Sequence, residues 1–117
     1  MWEVIYSEEW EEWFESLEES QQVAIVAAVD VLRLKGPTLG RPLVDRINGS
    51  QFQNMKELRV SEGGQLRTLF AFDSQRRAVL LVGGNKAGEW TSWYDQHISQ
   101  ADAIFGAHQA KLSKEGR

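Results

Sequence analysis

The stretch Met55–Lys86 reads MKELRVSEGGQLRTLFAFDSQRRAVLLVGGNK. Short runs rich in Val, Leu and Phe are parted by two turn signals, Gly63-Gly64 and Asp73-Ser74-Gln75. This is the pattern of three antiparallel strands joined by hairpins. Cations are spaced along it: Lys56, Arg59, Arg67 and Lys86. A strand buried on one face carries arginine where its other face meets water, a carboxylate or a phosphate. The segment therefore predicts a small sheet with one apolar face and one cationic face.

Alternation of side chains across a strand sorts these cations. With Leu58, Val60, Thr68, Phe70 and Phe72 turned to the core, Arg59 and Arg67 point the other way. Pairing Leu58 with Phe70, and Phe70 with Val79 across a two-residue turn at Ser74-Gln75, carries Ala78, Leu80 and Val82 beside Arg67. Lys86 follows on the same side. Gly83-Gly84 is the sensitive step, because paired glycines permit a bulge. Lys56 falls on the opposite parity, at the start of its strand.

Upstream, Trp2–Tyr6 reads as a first strand and Ser7 as a helix cap, with Glu8 and Glu9 in the first turn where the dipole favours anions. Trp10, Trp13, Phe14 and Leu17 recur at i, i+3, i+4 and i+7, the spacing of an amphipathic helix facing a core. A second helix over Ser20–Leu34 contains VAIVAAVDVLRL. It is apolar nearly all round, which places it between the first helix and the sheet. Gly36-Pro37 stops it, and Thr38–Asn54 reads as a structured loop. A last helix starts near Glu89 or Trp90. Its stripe is Trp90, Trp93/Tyr94, His97, Ala101, Ile104/Phe105, His108 and Leu112, and the terminal LSKEGR is expected to fray. The whole is an α+β domain over residues 1–117. An N-terminal strand and a three-strand meander form a small antiparallel sheet packed by two N-terminal helices, with a C-terminal helix at the end.

The 117 residues suffice for one hydrophobic core. There is no cysteine, which excludes disulfides and thiolate metal sites. No secretory leader or apolar run of membrane-spanning length is present, so a cytoplasmic protein with no membrane association is expected. No GxGxxG, GKS/T, HExxH or GxSxG pattern occurs, which leaves nucleotide hydrolysis, zinc hydrolysis and the serine elbow without support. Asp73 reads as a turn former, Arg76 and Arg77 as solvated hairpin charges, and His97 and His108 as helix residues too far apart to share a metal. No metal or cofactor is expected.

The net charge of −4 conceals an asymmetry. Residues 1–30 hold nine acids and no Lys or Arg, while the rest of the chain holds all 13 cations against eight acids. Binding of nucleic acid needs a local positive surface, not a positive total. The acidic stretch is either a solvated helix face or a docking surface for a basic partner.

The ordered set KELR, R-x-x-FAFD, R-x-x-VLLxGGNK and a Trp/Tyr-bearing helix resembles the RelE/ParE toxin superfamily, in particular its HigB-like, phage-derived branch. The resemblance runs from the Trp2–Tyr6 strand to the C-terminal helix. It implies the toxin of a type II toxin–antitoxin system, a metal-independent endoribonuclease that cleaves mRNA in the ribosomal A site and so inhibits translation. It also implies a cognate antitoxin, typically a helix-turn-helix protein, in a toxin–antitoxin hetero-oligomer.

In such cleavage the ribose 2′-hydroxyl attacks the neighbouring phosphorus, a base takes its proton, cations hold the added charge and an acid protonates the leaving oxygen. By position, Arg67 matches the family's transition-state arginine, Lys86 the basic residue assigned as acid, and Tyr94 the tyrosine that stacks the substrate. Arg59 and Trp93 join the RNA-binding set, since cations hold phosphate and aromatic faces stack bases. The base position departs from the pattern. Where RelE has K-x-K-L-R, this chain has Met55-Lys56-Glu57-Leu58-Arg59, so that Glu57 or a rotated Lys56 could take the proton. Two other readings stand beside the nuclease: a non-catalytic ParE-like inhibitor of DNA gyrase, and a degenerate regulatory module that acts only when bound to an antitoxin.

Overall fold

The computed structural model describes residues 1–88 and 90–116, and of Trp90 and Thr91 the backbone alone. Chain order is β1 (Glu3–Tyr6), α1 (Glu8–Glu15), α2 (Glu19–Lys35), a 3-10 turn (Gly36–Thr38), β2 (Val44–Arg46), β3 (Lys56–Ser61), β4 (Gln65–Phe72), β5 (Arg77–Asn85) and α3 (Trp90–Glu115). The strands form one sheet in the order β1-β5-β4-β3-β2. The expected α+β architecture is present, with three differences in the sheet.

First, β1 pairs with β5 in parallel, Ile5 opposite Val79, so the sheet is mixed. A parallel neighbour requires a crossover, and α1 and α2 leave ample chain for it. Second, the presumed loop over Thr38–Asn54 contributes an edge strand, β2, antiparallel to β3 with Val44 opposite Leu58. Three residues with one buried apolar side chain leave too short a pattern to read. Third, both faces of the sheet are covered. Leu58, Leu66, Phe70, Ala78 and Leu80 meet α1 and α2. Met55, Leu69, Ala71, Val79 and Leu81 meet α3 through Trp93, Ala101 and Phe105. The α3 face is therefore apolar over half its length and cationic only toward the Arg67 end.

Ser7 caps α1 by accepting from the Trp10 amide at 3.0 Å, and its hydroxyl donates to the Leu81 carbonyl at 2.5 Å. The same residue thus satisfies an orphan helix donor and ties α1 to β5. Trp10 is buried, and its indole N–H reaches Thr68 Oγ1 at 3.0 Å. The helix α2 lies beside α1, not beneath it: α1 packs on β5, α2 on β3 and β1. One stripe of α2 consequently faces solvent, with Val23, Val26 and Leu34 exposed at 63%, 49% and 68%. Gly36 ends α2 at φ 59°, with Pro37 starting the 3-10 turn as its composition implies. The C-terminal segment does not fray at Leu112, which is buried; the helix runs to Glu115, and Arg117 lies outside the described residues. The expected start at Glu89 and the Trp90 side chain also lie outside them.

The register explains why Lys86 reaches the side expected of it by a different route. Leu58 opposes Thr68, not Phe70, a two-residue shift that preserves facing. The hairpin after β4 is one residue longer than a two-residue turn, since Phe72 opposes Ala78 and not Arg77. Taken alone this would reverse the parity of Lys86. A bulge at Leu69/Phe70, where Leu69 meets Val82 and Phe70 meets Leu80, reverses it again. Val79 and Leu81, not Ala78 and Leu80, therefore share the face of Arg67. Beyond the bulge the glycines are sites of close approach. A Cβ on Gly83 would overlap the Trp13 ring on one face, and one on Gly84 would lie 2.6 Å from Trp93 Nε1 on the other.

Candidate active site

Alternation on β3 and β4 turns Glu57, Arg59 and Arg67 to the α3 face, and the first turns of α3 bring Tyr94 over them. Arg59 and Arg67 are directly opposite across the two strands. Like charges so placed repel, and two carboxylates answer them. Glu57 Oε1 is 3.6 Å from Arg67 Nε, and Asp45 Oδ2 is 3.9 Å from Arg59 Nη1. Tyr94 Oη donates to Glu57 Oε1 at 2.7 Å. Lys86 Nζ lies 5.2 Å from the centre of the Tyr94 ring, within cation–π range. Its backbone amide is held by the Gln65 carbonyl at 3.0 Å.

Three of these charged groups are removed from water: Glu57 is 7% exposed, Arg67 3% and Lys86 6%. Ionic groups are seldom buried to this extent without a role or a partner. Arg67 Nη1 donates to the Leu66 carbonyl at 2.9 Å and Nη2 to Gln65 Oε1 at 3.3 Å, but buried Nε makes no hydrogen bond. A donor left in that state costs about 1–3 kcal/mol. Such a group is a candidate for an acceptor brought by a ligand.

The electrostatics follow from burial. The Lys86 ammonium is shifted below its ordinary 10.5, first by loss of water and then by the charge of Arg67, with Arg59 adding to it and Glu57 opposing. Tyr94 is pushed up to about 12, by burial first and then by its bond to Glu57, so its phenol stays protonated and donating. A chain of net charge −4 thus holds a local site in which Arg59, Arg67 and Lys86 outnumber Glu57 and Asp45. Two hollows flank the Glu57–Arg67 pair. One, of about 390 Å³, is lined by Arg41, Leu43, Arg59, Gln65 and Arg67. The other, of about 240 Å³, is lined by Arg46, Asn48, Glu57 and Tyr94. The arrangement can bind an anion and stabilise charge that develops on it.

Five of the expected site residues, Glu57, Arg59, Arg67, Lys86 and Tyr94, come together. Two do not. Lys56 lies on the other face, its Nζ donating to the Pro37 carbonyl at 3.2 Å and standing 5.9 Å from the Phe72 ring centre. Trp93 is 2% exposed, stacked on His97 at 4.2 Å and pressed against Gly84. Its ring serves the core and offers no open face to a base. Met55, beside the expected proton acceptors, is likewise wholly buried. Arg41, Asp45, Arg46 and Gln65 were not foreseen. Their signal was the unread strand β2 and the parity of Gln65 with Arg67.

Among the described residues no group of His, Cys, Asp or Glu is arranged to hold a metal ion, and no helix is long and apolar enough to cross a membrane.

Comparison with known proteins adds family to geometry. HigB3 of Mycobacterium tuberculosis (strain ATCC 25618 / H37Rv), named as a candidate toxin, is 52% identical over 92 residues, covering 79% of this chain and 80% of HigB3. HigB2 of the same organism, also named as a candidate toxin, is 47% identical over 102 residues, covering 86% of this chain but 51% of HigB2. Among solved structures, the archaeal RelE–RelB complex from Pyrococcus horikoshii OT3 contains a chain that superposes with a TM-score of 0.56 at 13% identity, covering 74% of this chain and 97% of that one. At that identity the likeness is one of fold. The family model described as phage-derived protein Gp49-like (DUF891) matches residues 12–105, the greater part of the chain, and the protein belongs to that family.

Proposed function

We propose that this protein is the toxin of a type II toxin–antitoxin pair and acts as an endoribonuclease on mRNA at the ribosome, with residues 1–117 as one toxin domain working in the cytoplasm. The observation that carries the reading is the convergence of Arg59, Arg67 and Lys86 from three segments on Glu57 and Tyr94, in a partly desolvated cluster. The kinship with HigB3 and HigB2 and the RelE-like fold support it.

The chemistry needs no group beyond these side chains. The 2′-oxygen attacks the adjacent phosphorus while Glu57 takes its proton, and the P–O5′ bond breaks to leave a 2′,3′-cyclic phosphate. Arg67 Nε meets the charge on the phosphoryl oxygens, and Lys86 protonates the departing 5′-oxygen. A depressed Lys86 makes a stronger acid, which suits that step. Arg59 anchors phosphate, and Tyr94 carries Glu57 and presents its ring to a base. A cognate antitoxin of helix-turn-helix type neutralises the toxin in a hetero-oligomer.

One observation favours the degenerate reading: Arg67, the residue assigned to meet the phosphate, is almost wholly buried. Induction with and without the neighbouring gene product, followed by mapping of RNA ends, separates the alternatives. Cleavage inside translated frames supports the nuclease. Trapped gyrase–DNA complexes without cleavage support a ParE-like inhibitor, and absence of growth arrest supports a degenerate module.

A further inference from the structure

Val26, of the exposed residues of α2, lines a further hollow on the face of the sheet opposite the Arg67 cluster. A groove of about 400 Å³ runs between α1 and α2, floored by Val4, Tyr6 and Leu80 and walled by Trp10, Phe14 and Val26. Tyr6 is 52% exposed beside it. Val23, Val26 and Leu34 fall at i, i+3 and i+11 on one side of α2, with the acid Asp30 between the last two, so apolar side chains at both ends of the helix flank a charged one. Exposed apolar surface of this extent with a polar border marks a binding face.

The border is predominantly acidic. Glu11, Glu15 and Asp30 line the groove, and Arg33 alone offsets them through its 4.0 Å pairing with Asp30. Glu8 and Glu12 on α1, and Glu18 and Glu19 at the start of α2, are also exposed. A ligand must therefore combine apolar side chains for the floor with cations for the rim, and be long enough to follow α2. Two helix walls with a groove between them accept a third helix by interlocking of side-chain ridges.

We propose that the groove between α1 and α2 docks a basic amphipathic helix of a partner protein, apolar along one face and flanked by Lys and Arg. The occupant sits on the side of the sheet away from Arg59, Arg67 and Lys86 and leaves the hollows around them open. Identifying that partner with the antitoxin rests on the reading above; the docking itself does not.

The test uses the whole protein and a synthetic helical peptide with Leu at i, i+3, i+4 and i+7 and Lys or Arg at the flanks. Binding is followed by Trp fluorescence and by NMR shift mapping. Saturable binding is expected, with shifts at Tyr6, Phe14 and Val26, and affinity falling at least tenfold in Val26→Lys and in Glu11→Lys/Glu15→Lys. These positions lie at the surface or rim, so the variants keep the fold, which circular dichroism checks. Equal binding of a Glu-flanked version of the peptide would overturn the proposal, as would shifts centred on Arg59 and Lys86. Self-association in sedimentation that Val26→Lys abolishes would also overturn it, naming a second copy as the occupant. Loss of nuclease activity in an unrelated variant bears on the proposed function and not on this binding.

Discussion

Tyr94 Oη donates to Glu57 Oε1 at 2.7 Å, joining the C-terminal helix to β3, the strand that carries Arg59. Glu57 therefore has two engagements, with the Tyr94 phenol and the Arg67 guanidinium. The position of the Glu57 carboxylate depends on both contacts. Tyr94→Phe keeps the ring and removes the donor. Expected are a loss of about 1–2 kcal/mol in denaturant unfolding and a fall in RNA cleavage of at least tenfold.

Burial of Arg67 decides which substitution tests it. Arg67→Ala would leave Glu57 buried beside a void and cost about 3–5 kcal/mol, mixing misfolding with lost chemistry. Arg67→Lys retains the charge but not the planar fork. It forfeits the Nη1 and Nη2 donations to Leu66 and Gln65 and is expected to cost about 1–3 kcal/mol, less than Arg67→Ala, and to lose growth inhibition. Induction at matched soluble protein levels checks both.

Lys86 carries a pH signature. An acid whose folded pKa is depressed loses its proton earlier as pH rises, so cleavage should decline on the alkaline side at a lower pH than the ordinary 10.5. Lys86→Arg stays charged and should lower the rate while removing that alkaline decline. Rates of cleavage measured from pH 6 to 10 are the check.

Asp73 fastens the other end of α3. Its Oδ2 receives Arg77 Nε and Nη2 at 2.9 Å and lies 2.8 Å from His108 Nε2, while Oδ1 accepts from the Gln75 and Arg77 amides. Burial alone would raise this carboxyl, but His108 and Arg77 together draw it below its ordinary 3.8. A depressed acid stabilises the fold above its unfolded pKa and loses that contribution as pH falls through the folded value. Stability should therefore drop below about pH 4. Asp73→Asn should cost about 1–3 kcal/mol near neutrality and flatten that acid loss. Thermal unfolding from pH 2 to 7 measures both.

Gly83 leaves no room for a methyl group against Trp13. Gly83→Ala should cost about 1–3 kcal/mol as an overpacking change, read as a lower denaturation midpoint with an unchanged slope.

Periodicity located both N-terminal helices, the meander and α3, because each carries a sustained pattern. It missed β2, whose three residues offer a single buried Val44. It also misread α2. A helix apolar all round is ordinarily buried, yet here Val23, Val26 and Leu34 remain in water. Strand parity brought Arg59, Arg67 and Lys86 to one face, although for Lys86 a longer hairpin and a bulge had to cancel. Neither is written in local composition. Trp93 and Tyr94 are neighbours on α3 and look alike in the sequence. Their places differ because successive helix positions face different directions: one ring packs under Gly84 and the other reaches Glu57.

The most direct measurement of the central claim is transcriptome-wide mapping of new 5′-hydroxyl RNA ends after induction, in wild type and in Arg67→Lys at equal protein levels. Attack by the ribose hydroxyl predicts such ends within translated frames for the wild type and their loss in the variant. Growth arrest without 5′-hydroxyl ends, or the same ends from Arg67→Lys, would contradict cleavage by this cluster.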